Sequence, residues 1–325
     1  MHAAEISTCI PDFSRRANTF FKEFAVNHFF QRVRAAAAVP VFLASLAVLT
    51  GTLLSCATDG GATAEAEKPA IVIAAFGSSY ESGQKNLEDF DTAVRKAFPD
   101  TDVYWGFTAS FIVNKLRKQG IETVFARKVP VRTVEEVYDQ LRLEGRRDVL
   151  VQSLLIMPGG EYRQVLDTPT HGLNVKYGHS LLYYPENIQN TINALSSDFG
   201  DPSDTYTILC AHGNEKHLEY NAPLVEMDTY LRENYQNARL AVMEGTPEFG
   251  PVKEEVLASG AKKVRFITFM LTYGDHMSND VMGDEEDSMK ARLGMPAECT
   301  DGLASHPAIQ ELIIDEMKLV MDQFI

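Results

Sequence analysis

The sequence predicts an α/β fold made twice: a tandem pair of units, each a parallel sheet with helical crossovers. Three observations carry this. Short apolar runs rich in β-branched residues alternate with stretches of helical periodicity from residue 68 onward. The alternation occurs once before the polar linker 196–204 (SSDFGDPSD) and again after it. Glycines close the strands at matching places. AAFGSS lies against LCAHGN, WGFTAS against VMEGTP, and RRDVLVQSLLIMPGGE against AKKVRFITFMLTYGDH.

In the first unit, 71–76 (IVIAAF) reads as a strand buried on both faces and closed by Gly77. Residues 84–97 carry apolar side chains at 87, 90, 94 and 97, a helical stripe. A strand over 102–107 (DVYWGF) and helices over 110–119 and 133–143 follow, the last opened by a Thr133/Glu136 capping box. Residues 148–157 (DVLVQSLLIM) form a third strand, ended by Pro158-Gly159-Gly160. In the second unit, strands over 206–211, 238–243 and 264–272 end at His212-Gly213, Glu244-Gly245 and Tyr273-Gly274-Asp275-His276. A last helix over 307–324 is expected to pack back on the first unit. The resulting partition is 1–64, 65–200 and 201–325.

Residues 1–64 read as a signal peptide and linker. The run 39–54 (VPVFLASLAVLTGTLL) is uncharged and follows Arg32 and Arg34, the pattern of an export signal. It is near the short end of what spans a bilayer. Ala62-Thr63-Ala64 offers an ordinary processing site. Leu53-Leu54-Ser55-Cys56 offers a lipobox, which would place a lipid anchor on Cys56. A periplasmic protein is expected, with a lipoprotein as the alternative.

Lys and Arg number 30 against 45 Asp and Glu, a net charge of −15, which argues against a general nucleic-acid binder. Four cysteines are too few and too scattered for a disulfide scaffold or a cysteine-rich zinc module.

Function in open parallel sheets collects beyond the carboxyl ends of the strands. There the second unit carries His212, Glu244 and His276, spaced 32 and 32 residues apart. Two imidazoles and a carboxylate suit a borderline divalent ion such as Co²⁺, Fe²⁺, Ni²⁺ or Zn²⁺ and leave coordination positions open. In the first unit the aligned residues are Phe76, Phe107 or Thr108, and Glu161. Each candidate also has a structural reading: His212 as a turn residue, Glu244 as a helix cap, His276 as part of a solvated loop. Gly77 and Ser78 could bind an anion through backbone N–H groups, and Gly159 and Gly160 could wall a cleft for a flat ligand. The acidic stretch 280–287 reads as a solvated face that could also collect cations near the site. Cys210 reads as a core residue, and His171 and His179, flanking the polar loop 171–180 (HGLNVKYGHS), as surface residues.

The strand ends FGSSY, MPGGEY, AHGNE, MEGTP and YGDHMSNDVMGDE resemble those of the CbiK-type anaerobic cobaltochelatases. That family inserts Co²⁺ into sirohydrochlorin and resembles the class II ferrochelatases in fold. The resemblance covers about residues 68–325. It implies two flavodoxin-like domains facing across a cleft, with the tetrapyrrole between them. It assigns His212 and His276 as metal-binding histidines and Glu244 as the metal-site glutamate, and it makes all three catalytic. Gly77, Ser78, Gly159 and Gly160 would line the tetrapyrrole cleft. Co²⁺ is the expected substrate metal, with Fe²⁺ or Ni²⁺ as alternatives, and a homo-oligomer is expected. The export signal departs from the family, whose cobalamin-pathway members normally work in the cytoplasm. The rival is an exported metal- or haem-binding protein, with His171 or His179 as an axial haem ligand.

Overall fold

Two four-stranded parallel sheets organise residues 68–324, the part of the chain that this computed structural model describes. The first is built on β1 (Ala70–Ala75), whose six residues are all buried, as expected of a strand covered on both faces. β2 (Val103–Phe107) and β5 (Asp148–Leu154) flank it, and β6 (Asn174–Gly178) forms the far edge. The second sheet is built on β7 (Thr205–Gly213), flanked by β8 (Ala238–Glu244) and β9 (Lys263–Thr268), with β10 (Ala297–Cys299) at the edge. The strand orders, β2-β1-β5-β6 and β8-β7-β9-β10, are the same.

Register refines the internal repeat. Ala75 pairs with Phe107, and Ala211 pairs with Val242. Phe107 makes a further parallel bridge to Thr133 and donates its N–H to the Arg132 carbonyl at 2.8 Å. Val242 does the same with Glu248 and the Pro247 carbonyl, at 2.9 Å. Phe107 therefore corresponds to Val242, and Glu244 to Ala109 rather than to Phe107 or Thr108. Matching glycines misleads here. Gly106 lies within a strand, where a Cβ would come 2.7 Å from the Val134 Cα, whereas Gly245 makes a turn with φ +91°. For β5 and β9 the register and the aligned sequences agree.

The halves differ in the connection after their second strand. After β8, four residues lead to the helix Phe249–Ser259. After β2, the chain makes α2 (Ser110–Lys118) and a two-stranded antiparallel hairpin, β3 (Thr123–Val124) with β4 (Val129–Pro130). It then enters α3 (Val134–Leu143) through the expected capping box, with Thr133 Oγ1 accepting from Glu136 N.

One apolar cluster runs through both halves, joining Ile71, Phe90 and Leu150 with Leu209, Ile267 and Ile309. α1 (Glu81–Ala97) supplies the polar counterpart. Asn86 is fully buried, donates to Asp301 and Ser305 at 2.7 Å each, and accepts from Tyr273 N at 2.7 Å. The last long helix, Pro307–Met321, returns to the first half as expected, where its Glu316 accepts from His179 N at 2.9 Å.

Three readings change. Residues 174–178 are an edge strand, not part of a polar loop; exposure on one side lets polar residues into the run. The strands expected over 148–157 and 264–272 stop at Leu154 and Thr268. His179 is half-buried rather than on the surface: it stacks on Tyr183 at 3.9 Å, and its Nδ1 lies 2.6 Å from the Tyr162 hydroxyl. The apolar run 39–54, Cys56 and 62–64 lie outside the described residues. Among the described residues no helix is long and apolar enough to cross a membrane.

Candidate metal centre

β7 is buried from Thr205 to Ala211, so the first side chain to emerge at its carboxyl end is His212. Gly213 follows with φ +75°, and a Cβ there would meet the Glu244 carbonyl oxygen at 2.0 Å. This close approach pins the end of β8 against the end of β7. His212 Nδ1 lies 2.9 Å from the Gly213 carbonyl. A carbonyl can only accept, so Nδ1 carries the proton and Nε2 keeps its lone pair.

His276 precedes a π-helical turn, Met277–Val281. Its Nδ1 lies 2.6 Å from Asp280 Oδ2, four residues on. The carboxylate likewise holds the Nδ1 proton and leaves Nε2 as the basic nitrogen. The two imidazoles meet edge to face, with centroids 4.6 Å apart. Each is thus prepared in the tautomer that binds a metal through Nε2, with an orienting acceptor behind it.

Glu244 ends β8, paired with Gly213, and is half-buried. Its carboxylate makes no hydrogen bond or ion pair among the described residues. No group of three metal-ligating side chains is drawn together among those residues. The structure therefore brings the two histidines into contact and leaves Glu244 on the neighbouring strand end.

The residues assigned to the cleft divide in the same way. Gly77 makes a turn with φ +96° against Phe107. The Ser78 hydroxyl is occupied locally, accepting from Tyr80 N at 3.1 Å. Gly159 faces the second half, where a Cβ would lie 3.6 Å from the Tyr220 ring, and Gly160 has open space around it. His171 is exposed, 3.8 Å from Glu135. His179 has its Nδ1 engaged by Tyr162, whose hydroxyl pKa is pushed up by burial. Sequence reasoning missed Tyr80, whose hydroxyl donates to Asp275 beside His276. It also missed Ser82, which donates to the Tyr273 carbonyl at 2.7 Å. Only the chain's return path brings these residues together, and no local pattern marks them.

The cobalt chelatase (CbiK) family model matches residues 69–322. The chain belongs to the cobalt chelatase family. It is 27% identical over 259 residues to the sirohydrochlorin cobaltochelatase of Salmonella typhimurium, covering 76% of this chain and 94% of that one. It is 26% identical over 236 residues to sirohydrochlorin cobaltochelatase CbiKC of Nitratidesulfovibrio vulgaris, covering 70% and 79%. Its fold resembles that of SirB from Bacillus subtilis with Fe³⁺, at TM-score 0.54 and 13% identity, over 79% of this chain and 97% of that chain. A multi-domain Deinococcus radiodurans protein with structural similarity to chelatases matches at TM-score 0.51 and 17% identity, covering 77% and 55%.

A cobalt chelatase exchanges two ring protons for one divalent ion, so it needs bases beside the ion.

Proposed function

We propose that this cobalt chelatase inserts Co²⁺ into sirohydrochlorin and does so in the periplasm. The observation that carries the site is the imidazole pair, each ring holding its Nδ1 proton against an acceptor. His212 and His276 hold the substrate ion through Nε2, and Glu244 offsets its charge. When the ion passes to the macrocycle, each Nε2 lone pair is released and takes one pyrrole proton. Two protons leave the ring, one divalent ion enters, and two imidazolium groups result. Asp280 stabilises the one on His276. Water then carries both protons away.

The test is incubation of the purified protein with sirohydrochlorin and Co²⁺, Fe²⁺ or Ni²⁺, following the macrocycle absorbance. Metal-dependent spectral change fastest with Co²⁺ is expected. No change with any metal rejects the reading.

The leader run 39–54 supports the compartment. Protein from the native envelope should begin between residues 56 and 65. A mass that retains Met1 rejects export, and a diacylglyceryl adduct on Cys56 selects the lipoprotein form.

A further inference from the structure

The insertion after β2 carries a surface that metal transfer does not use. α2 buries Ile112, Val113 and Leu116 and turns Phe111, Lys115 and Lys118 outward. These three residues share one helical stripe. Phe111 is 60% exposed, and its ring meets the exposed Phe76 ring edge-on, with centroids 5.7 Å apart. Phe76 follows β1 at the place that His212 holds on β7. Lys115 Nζ lies 5.8 Å from the centre of the Tyr80 ring, and the Tyr80 hydroxyl reaches Asp275 beside His276. A line of contacts therefore joins this stripe to the imidazole pair.

A single exposed apolar side chain is ordinary. Here two exposed aromatic rings adjoin and are edged by ammonium groups, on a chain of net charge −15. That combination fits a flat apolar macrocycle with carboxylate side chains: rings against its face or edge, ammonium groups against its anionic rim. The stripe is held in place from behind. Arg117 donates to the Val131 carbonyl at 2.8 Å and to Glu136 at 2.7 Å.

We infer that Phe111 and Lys115 of α2, with Phe76, form a recognition wall that selects tetrapyrroles by their carboxylate side chains. The inference rests on the chelatase reading and names how its larger substrate is chosen.

The test uses full-length, metal-free protein titrated with sirohydrochlorin and with a porphyrin bearing fewer carboxylates, followed by macrocycle fluorescence. Lys115→Glu should weaken sirohydrochlorin binding by roughly fivefold, the scale of one partly exposed ion pair. It should weaken the less carboxylated porphyrin distinctly less. Phe111→Ser should weaken both alike, by about fivefold to tenfold. In the insertion assay KM should rise by the same factors while kcat stays within about twofold, because neither residue touches the ion. Unchanged binding in both variants overturns the inference, and so does an equal loss of the two ligands in Lys115→Glu. Both side chains are exposed, so an unshifted melt is expected. Protein that inserts no metal, yet binds tetrapyrrole with these dependences, would end the catalytic reading and leave the recognition wall standing.

Discussion

The two halves have the same strand order and the same backbone bridge at Phe107 and Val242, yet only the second brings two imidazoles together at its strand ends. The first half closes its central strand with Phe76, the second with His212. Where the second half has Glu244, the first has Ala109. A duplicated sheet thus supplies equivalent strand ends, and the side chain at each end decides what that end does. The connections follow the same division. In the second half a short link follows Glu244, which its pairing with Gly213 holds against the end of β7. A long link in the first half carries α2 and its exposed aromatic face.

The largest effect should come from removing an imidazole. His276→Ala should slow cobalt insertion by roughly 10²–10⁴-fold, the usual loss for a proton acceptor in the transition state. The His276 side chain is 41% exposed, so stability should stay within about 0.5 kcal/mol. Phe76→Ala, at the equivalent place, should leave the rate constant far less affected and act on KM. Equal losses of kcat in the two variants would remove the asymmetry between the halves.

The joint between the halves comes next. Asn86→Ala leaves Asp301, Ser305 and the Tyr273 N–H without their buried partner. It should cost about 1–2 kcal/mol, because Asp301 is exposed and keeps the Gly302 N–H while Ser305 keeps Asp89, so the lost bonds are only partly stranded. Denaturant unfolding measures it. Two separated transitions in the variant, in place of one, would show that this joint is what couples the halves.

Much of the fold was legible because its signals are local or strongly periodic. The apolar run over β5 and the Thr133/Glu136 pair each lie within one element. β6 was not legible, because an edge strand needs no apolar run. The strand-end histidines were legible as candidates, and the resemblance to chelatases rested on the same motifs. The Asp280 orienter sits four residues from His276, in view within an acidic stretch read as a solvated face or a collector of cations, not as a partner for the ring. His179 was misread because polar neighbours in sequence hid an aromatic cluster assembled from Tyr162 and Tyr183. Contacts such as Tyr80 to Asp275, 195 residues apart, arise from the fold alone.

That contact makes a third test. Tyr80→Phe removes the hydroxyl that links the first half to the residue before His276, while Asn279 still donates to Asp275 at 2.7 Å. The kcat for insertion should fall by roughly threefold, as expected for one exposed hydrogen bond. The melt should not move. A fall as deep as that of His276→Ala would assign Tyr80 to the chemistry itself and extend the active half across the joint.

The smallest effect concerns what holds α2 in place. Arg117 hydrogen-bonds the Glu136 carboxylate and holds its carboxyl below the usual carboxylate range; partial burial opposes this, and the Thr133 N–H adds to it. A carboxyl lowered in the folded state stabilises the protein above its ordinary pKa, and that contribution is lost as the pH falls through the lowered value. Glu136→Gln keeps an acceptor for the capping box and removes the charge. At neutral pH the variant should be less stable by at most about 1 kcal/mol, because both partners are substantially exposed. As the pH falls below that lowered value the native Glu136 itself becomes neutral, so the two melting curves should converge in acid. A gap that persists unchanged in acid would mean that capping geometry, and not the Arg117 ion pair, fixes the helix that the second half lacks.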